Sequence, residues 1–349
     1  MPAMTNPPFQ WNPDENQTYT ESDGSQQLTG VFNKTCGKSF TMQALNQQLS
    51  LLVSSNGTNV WGGTCNSWTS IALDEGTLTF GAPAPETAYG RLSLVGTDIT
   101  LQQAARFNAN LWVYDSSAFL HPNQMNLKAG SAVEIYCAES YAAAGFINID
   151  SARMEVKSPV MKVESCKVSL SSDAMSPGAS VFMECIPQTV QSDFPLVRMT
   201  DATIQCANAS TMQIRMQTAQ PLVFLDSTVS VRDSAAVEIY ADNLAFPAAD
   251  PTRFEIAGPG ACTIKFYGAT PGTQALDFIK NIYSPGLFRF ARKTVPENRG
   301  SLLIAKCGNA FQYANMLKQQ LLYVDDQEAD ASMFNQLYEP NGDLIIMLK

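Results

Sequence analysis

Acidic side chains recur at corresponding bends of the sequence and could supply paired carboxylates. Each lies at a polar bend beside a stretch of alternating residues, and the four are Asp150, Glu164, Asp201 and Asp226. Glycoside hydrolysis uses two carboxyl groups about 5 to 9.5 Å apart, a distance that adjacent repeats could provide. Acidic residues at bends also bond the local backbone and face water. We prefer this second interpretation, so the four residues are candidates only and no catalytic residue is predicted.

The sequence contains few residues that could support other kinds of catalysis. His121 is the single histidine, which excludes a histidine-dependent triad and any metal site with two imidazoles. The eight cysteines are far apart and include no CxxC. We therefore predict buried, reduced thiols, with no metal and no cofactor.

A polysaccharide lyase would need acidic calcium ligands and a basic side chain that abstracts a proton. Four arginines are available: Arg153, Arg198, Arg215 and Arg232. No Asp-rich cluster accompanies them, and Asp325 and Asp326 fall in the tail, where we expect an exposed linker. The sequence thus meets only one of the two requirements.

Aromatic side chains could stack on sugar rings, although packing in a core or cap explains them equally well. The residues concerned are Trp11, Trp61, Trp68, Trp112, Tyr89, Tyr114, Tyr136, Tyr141 and Tyr240. They leave sugar binding open.

Short strands in a degenerate repeat would position these groups. A polar or glycine-containing bend followed by alternating apolar and polar residues recurs at 73–81, 94–101, 149–156, 163–170, 199–206, 225–231 and 258–266. This period of two predicts half-buried strands. The anchor positions 78, 99, 154, 168, 204, 229 and 264 are unevenly spaced. Several of the gaps between them fit one or two coils of about 20 residues.

Two further regularities agree with stacked coils. The letters VEIY occur at 133–136 and again at 237–240, an offset that fits several whole coils. Cys137, Cys166, Cys185 and Cys206 recur at intervals close to one coil, as expected if some occupy related inward positions. Repeats that cannot bury an apolar face alone must stack on one another. We therefore predict an all-β solenoid, a right-handed parallel β-helix of about nine or ten irregular coils.

The two ends of the chain depart from this pattern. Residues 1–38 are rich in proline and polar residues and predict an extended arm. Within 39–60, Met42, Leu45, Leu49 and Leu52 fall on one helical face, which predicts a helical cap over the end of the 61–270 β-helix. Residues 271–349 predict an α+β cap with a short helix at 273–286, a second helix capped by Asn309, and a hairpin turning at Asn341-Gly342.

Composition and the N-terminal sequence bear on the kind of binding partner and on where in the cell the protein is made. Only 15% of residues are charged and the net charge is -10, so a nucleic-acid partner is not expected. The N-terminus has no signal-peptide pattern and no apolar run is long enough for a membrane span. We expect synthesis in the cytoplasm without membrane insertion.

Irregular coils, capped ends and a Ser/Thr/Asn-rich exterior resemble the pectin-lyase-like group of parallel β-helices over about residues 60–270. That group includes polysaccharide lyases and hydrolases, autotransporter passengers, and bacteriophage tailspikes and fibres. The resemblance implies an architecture and does not choose among these functions.

The leading hypothesis is a non-catalytic structural or receptor-binding protein, such as a bacteriophage spike, fibre or attachment component. The arm would anchor it to other structural proteins of a virion, and surface polysaccharide or another receptor would be its ligand. A homotrimer fits this role, as does release to a virion or extracellular surface without a secretion signal. The alternatives are a polysaccharide lyase or glycoside hydrolase, and a cell-surface adhesin.

Overall fold

The computed structural model of the chain is all-β with long parallel sheets. It describes residues 8–53, 57–62, 67–81, 90–102, 104–111, 117–120, 122–128, 130–143, 145–172, 178–187, 197–217, 219–247, 251–292 and 297–349. The chain divides into two compact units, Met1–Ser158 and Pro159–Lys349.

The first unit consists of parallel strands in three series. Its described strands are β1 (Gln17–Thr20), β2 (Gln26–Gly30), β3 (Ser39–Val53), β4 (Thr58–Gly62), β5 (Thr69–Gly81), β6 (Arg91–Val95), β7 (Thr97–Leu101), β8 (Arg106–Leu111), β9 (Ser117–Leu120), β10 (Gln124–Leu127), β11 (Ala132–Cys137), β12 (Glu139–Ala143), β13 (Phe146–Asp150) and β14 (Arg153–Ser158). The first series is β4-β6-β9-β12. The second is β1-β3-β5-β7-β10-β13. The third is β2-β3-β5-β8-β11-β14, so the long strands β3 and β5 belong to two series.

The second unit repeats this plan and adds antiparallel strands and a helix. Its described elements are β15 (Val160–Glu164), β16 (Lys167–Ser171), β17 (Ser180–Cys185), β18 (Val197–Thr200), β19 (Thr203–Cys206), β20 (Thr211–Met216), β21 (Leu222–Leu225), β22 (Thr228–Val231), β23 (Ala236–Tyr240), β24 (Leu244–Ala245), β25 (Arg253–Ile256), β26 (Thr263–Tyr267), β27 (Phe288–Phe290), β28 (Ser301–Ile304), α1 (Ala310–Lys318), β29 (Leu322–Val324), β30 (Gln327–Glu328), β31 (Phe334–Tyr338) and β32 (Leu344–Leu348). The parallel series are β15-β18-β21-β24, then β16-β19-β22-β25-β27-β29, then β17-β20-β23-β26-β28.

Successive strands of a series are mostly further apart in sequence than predicted. Ala132 pairs with Arg153, a step of the predicted repeat length, whereas Thr263 pairs with Ser301, a step nearly twice as long. The predicted repeat was therefore too short for most steps. Among the described residues the second series has six strands in each unit, twelve in all. The number of coils, predicted as nine or ten, stays a prediction.

The predicted period of two is confirmed, because all seven anchor positions are buried strand residues. They come from two different series, which explains their uneven gaps. Val168, Ile204 and Val229 follow one another in the second series, so the gaps between them are register steps. Met154 lies in the third series, so its short gap to Val168 is no repeat length.

The inward side chains form an apolar core in each unit. In the first unit Phe40, Trp61, Phe80 and Phe107 make a column of ring contacts, with centroids 5.5 to 6.2 Å apart. In the second unit Phe254 contacts Phe224, Phe266 and Phe288 at 5.5, 5.1 and 6.1 Å. Polar and charged side chains alternate with these residues on the outer faces.

Several bends between strands have a residue with left-handed backbone. Gly96, Ser151 and Ser165 have φ of +61°, +53° and +48°. At two further bends the left-handed residues are Asp201 and Asp226, each followed by a small residue, Ala202 and Ser227.

The predicted helical cap at 39–60 is wrong, because these residues contain β3 and β4. The buried residues alternate, first as Phe40, Met42 and Ala44 and then as Leu49, Leu51 and Val53. The alternation changes phase at Asn46, where φ is +60° and the register against β5 shifts. This change of phase produces helix-like spacing, but Leu45 of the expected apolar face is 47% exposed.

The described part of the predicted arm packs on its own chain. β1 and β2 each pair in parallel with β3. The Trp11 ring lies 5.1 Å from that of Trp61, and the Lys34 ammonium lies 4.7 Å from the Trp11 ring. That ammonium is buried and donates to the Asn12 carbonyl and the Gln17 amide oxygen, both at 2.9 Å. The division of the chain into arm, cap, β-helix and tail stays a prediction.

Two predictions for the tail are confirmed. Helix α1 begins after Asn309, whose side-chain oxygen accepts from the Gln312 backbone N–H at 3.0 Å. Strands β31 and β32 form an antiparallel hairpin, and β32 also pairs antiparallel with β28. Gly342 adopts the φ of +91° that this turn requires.

The predicted helix at 273–286 is wrong. The Asp277 carboxylate takes the backbone N–H groups of Ile279 and Lys280. Two side chains at α1 bond the backbone of Phe278. The Gln312 side-chain oxygen accepts from the Phe278 N–H, and the Gln319 amide donates to the Phe278 carbonyl. These side-chain bonds satisfy the backbone that a helix would otherwise have satisfied.

Asp325 and Asp326 form a two-residue turn between the antiparallel strands β29 and β30, not a linker. Their φ angles are +49° and +64°. Asp325 accepts from the Arg292 N–H at 2.7 Å, and Asp326 pairs with Arg289.

Six cysteines are buried thiols outside any disulfide, as predicted: Cys137, Cys166, Cys185, Cys206, Cys262 and Cys307. The prediction was wrong for Cys36, which is disulfide-bonded. Cys185 pairs with Met216 and Cys206 with Leu170, so these two thiols lie in different series. The spacing of the cysteines therefore does not mark one repeated position.

The described part of the chain contains no helix that is long and apolar enough to cross a membrane.

Candidate binding cleft

The acidic candidates of the second unit do not share one position. Glu164 pairs with Thr200, so Ser165 is the residue that corresponds to Asp201, and its hydroxyl donates to the Asp201 carboxylate at 3.0 Å. Asp201 and Asp226 do correspond, and they have left-handed φ of +50° and +45°. Their placement accounts for acidic residues at these bends without catalysis, and a catalytic role stays a hypothesis.

Asp150, the candidate in the first unit, ends β13, and its carboxylate accepts from the Ser151 hydroxyl at 3.3 Å. Three of the four arginines considered for lyase chemistry lie outside the cleft described below. Arg153 is paired with Glu155, Arg198 donates to the Thr200 hydroxyl at 2.9 Å, and Arg232 is exposed beyond β22. The fourth, Arg215, lies in the cleft described below.

Several aromatic candidates have a packing role. Trp61 is fully buried and Trp11 packs against it, whereas Trp68 is 54% exposed. Trp112, Tyr89, Tyr114, His121 and Cys65 lie outside the described residues, as does the side chain of Tyr141.

The two VEIY segments are strands β11 and β23, and each presents Glu and Tyr on the outer face. In the first unit the carboxylate of Glu155, 3% exposed, lies 2.7 Å from the Lys157 ammonium and accepts from the Tyr136 hydroxyl at 3.3 Å. Burial acts to raise the pKa of Glu155, but Lys157 and Arg153 outweigh it and lower the pKa. Burial and the neighbouring carboxylates of Glu134 and Glu155 raise the pKa of Tyr136 to about 12.

In the second unit Glu238 is the centre of a similar cluster. Its carboxylate accepts from the Gln213 amide at 2.7 Å, the Lys265 ammonium at 2.9 Å and the Tyr240 hydroxyl at 3.0 Å. Burial opposes ionisation, but these donors outweigh it and lower the pKa of Glu238. The carboxylate is thus fully engaged and holds the Tyr240 hydroxyl in place.

A cleft of about 490 Å³ opens on the outer face beside this cluster. Its floor is a ladder of side chains on four paired strands of the third series, Glu184, Arg215, Tyr240 and Tyr267. The rings of Tyr240 and Tyr267 are stacked, with centroids 4.8 Å apart and planes at 17°. The Arg215 guanidinium carbon lies 4.7 Å from the Tyr240 centroid and 5.7 Å from that of Phe182.

One wall of the cleft is the 268–273 loop. Asp242 fixes it, because its carboxylate accepts from the Thr270 hydroxyl at 2.7 Å and the Thr273 hydroxyl at 2.5 Å. Burial acts to raise the pKa of Asp242, but these bonds lower it. At Gly268 a Cβ would lie 2.0 Å from the Thr273 hydroxyl oxygen, so only glycine allows this close approach.

The opposite wall comes from the tail. Asp343 is 7% exposed, and its carboxylate accepts from the Lys306 backbone N–H at 3.1 Å and the Asn341 side chain at 2.9 Å. The Lys306 ammonium donates to the Asn341 carbonyl. The charged groups of this wall are therefore bonded to their own chain.

Arg215 differs from these groups. In the part of the chain that the structure describes, its exposed guanidinium has no hydrogen-bond or ion-pair partner, and its contacts are with the two aromatic rings. Glu184, the next rung, is engaged with the Gln217 amide at 2.5 Å. The cleft therefore has an unengaged cation beside a stacked pair of tyrosine rings.

Sequence reasoning identified Arg215 and Tyr240 separately but not the cleft. Tyr267 was missed, although it belongs to the repeat at 258–266 extended by one outward position. The two walls could not be foreseen, because the 268–273 loop and Lys306 come together only through pairing of β26 with β28.

No group of three or more His, Cys, Asp or Glu side chains in the described ranges is arranged to hold a metal ion. Comparisons of the chain with protein families, curated proteins and solved structures find no match.

Proposed function

We propose that the chain is a non-catalytic structural and receptor-binding component of a larger assembly, such as a bacteriophage spike or fibre. The proposal includes a right-handed parallel β-helix, in which strands of the three series form successive coils. Support for the β-helix is the cyclic order in which the chain visits the series, for example β16, β17, β18 and then β19.

The observation that carries this function is a difference between the terminal strands. β1 and β2 pair on one side only among the described residues, with β3. Unpaired strand edges attract other strands, and proteins normally cover them. In the tail, by contrast, β28 is covered by β32 and β29 by β30.

A partner strand added to β1 and β2 would complete their hydrogen bonding. Their sequences, QTYT and QQLTG, are uncharged, so no charge opposes such pairing. The N-terminal segment therefore anchors the chain through strand edges and not through a loose arm.

The bonding of the candidate acids supports a binding role over catalysis. Among the four candidates, Asp150 and Asp201 accept hydrogen bonds from the hydroxyls of Ser151 and Ser165. In the cleft, which contained no candidate acid, Glu238 and Asp242 are occupied by donors of their own chain. A catalytic pair would need free carboxyl groups that flank a substrate.

The test is to isolate the chain from its natural source and determine whether it sits in a particle. Electron microscopy with an antibody to residues 301–349 should show particles labelled at a projecting structure. Label confined to virus-free cell envelopes would point to an adhesin and contradict the proposal.

The enzyme alternative has its own test. Surface polysaccharides incubated with the chain should give no new reducing ends and no unsaturated sugars. Sustained cleavage that disappears in Asp150→Asn, Asp201→Asn or Asp226→Asn would overturn the non-catalytic proposal.

A further inference from the structure

The cleft on the outer face of the second unit has the features of a ligand site. Its ladder of four rungs, each about 4.8 Å from the next, is about 14 Å long. Along it lie an unengaged guanidinium and the stacked pair Tyr240 and Tyr267.

The Arg215 guanidinium is preorganised to bind a planar anion. Rings on two neighbouring strands fix its guanidinium, which reduces the conformational entropy lost on binding. A guanidinium presents paired N–H donors that match the two oxygens of a carboxylate.

The surroundings favour one carboxylate among many hydroxyls. Gln217, Thr270 and Asn341 supply neutral polar groups, and tyrosine rings offer flat surfaces on which an apolar ring face packs. An acidic peptide fits poorly, because Glu184, the neighbour of Arg215 across the paired strands, would repel further carboxylates.

We propose that this cleft binds a carboxylate-bearing sugar of an acidic glycan. Arg215 pairs with the sugar carboxylate, and Tyr267, whose ring is held by stacking on Tyr240, packs on the neighbouring sugar ring. The proposal names the receptor class for the function proposed above and rests on it.

Titration calorimetry of the full chain tests it with two acidic probes, sialyllactose and an oligogalacturonate. Lactose and the carboxyl-reduced oligomer are the neutral controls. We expect one acidic probe to bind and its control not to bind, and the probe that binds identifies the source of the carboxylate. Equal binding of a neutral control, or no binding of either acidic probe, would overturn the proposal.

Variants assign the contact. Arg215→Gln should weaken binding about tenfold to a hundredfold, the usual effect of losing a charge-assisted bidentate bond. Arg215→Lys should recover only part, since it lacks the planar fork. Arg232→Gln, which removes an exposed arginine outside the cleft, should bind as the parent does. Thermal unfolding of each variant checks its fold.

Three outcomes would contradict the assignment: binding unaffected by Arg215→Gln, binding equally reduced by Arg232→Gln, or tighter Arg215-dependent binding of a hexaglutamate peptide. Failure to bind sugar leaves the structural proposal intact, because that depends on particle association. A chain that binds the acidic probe but is not found on a particle in its natural source would overturn the structural proposal alone.

Discussion

The side chains that matter most for this protein are charged groups whose partners differ. Glu155 and Glu238 are surrounded by donors, and Asp242 fixes a loop, so these groups stabilise the fold. Arg215 has aromatic neighbours but no hydrogen-bond or ion-pair partner among the described residues. This contrast is the reason for proposing ligand recognition at Arg215.

Lys34 makes folding stability depend on pH. Burial lowers its pKa from 10.5 to about 8, although Glu15 and Asp14 act in the opposite direction. Between pH 8 and pH 10 the unfolded chain keeps the proton that the folded chain loses, so stability should rise with pH. The rise is on the order of 2 to 3 kcal/mol at most.

Denaturant unfolding at pH 7, 8, 9 and 10 measures this effect. Lys34→Met should remove the rise, and Lys38→Met, at a more accessible lysine four positions on, should keep it. The measurements stop at pH 10, because tyrosine ionisation destabilises the folded chain above that pH. Burial and Asp23 raise the pKa of Tyr19 to about 12, so this side chain loses its proton more easily in the unfolded chain. Parallel curves for the parent and Lys34→Met would contradict the account.

At the scale of elements, sequence periodicity identified the strands but not their grouping. Val168 and Ile204 are buried, and the alternation of apolar and polar residues around them predicts this burial from local sequence alone. Series membership depends on pairing with strands one coil away, such as Thr263 with Ser301, which no local pattern encodes.

The two wrong helices have related causes. In β3 the phase change at Asn46 gave helical spacing to a strand. At 273–286 the side chains of Gln312 and Gln319, distant in sequence, replace helical hydrogen bonds. The hairpin at Gly342 and the cap at Asn309 were predictable because their signals are local.

The bend at Asp226 should depend on backbone conformation and not on its carboxylate. Asp226→Val should destabilise the fold by about 1 to 2 kcal/mol, because a β-branched residue is strained at the φ of +45°. Asp226→Gly removes the same carboxylate but permits this φ, so it should be neutral or stabilising by up to about 1 kcal/mol. Chemical denaturation of both variants decides, and equal destabilisation would assign the role to the carboxylate.

The start of α1 makes a second prediction at this scale. Asn309→Ala should cost about 1 kcal/mol, because the Gln312 N–H loses its acceptor, and Asn309→Ser should cost less. The rate of hydrogen exchange at the Gln312 backbone amide should increase in Asn309→Ala but not in Asn309→Ser. No difference between the two variants would mean that the cap contributes nothing.

For the whole molecule, the proposed link between fold and function is the one-sided pairing of β1 and β2 among the described residues. Little of this could be predicted, since composition indicated an extended arm and not its pairing with β3. The non-catalytic interpretation came from what the sequence lacks, whereas the cleft depends on residues from 184 to 343 that only folding brings together.

Cross-linking mass spectrometry on intact particles, combined with the native mass of the released chain, tests whether the N-terminal segment anchors the protein. We expect a particle-bound chain whose residues 8–38 are cross-linked to a different structural protein. A free monomer without such cross-links would contradict it.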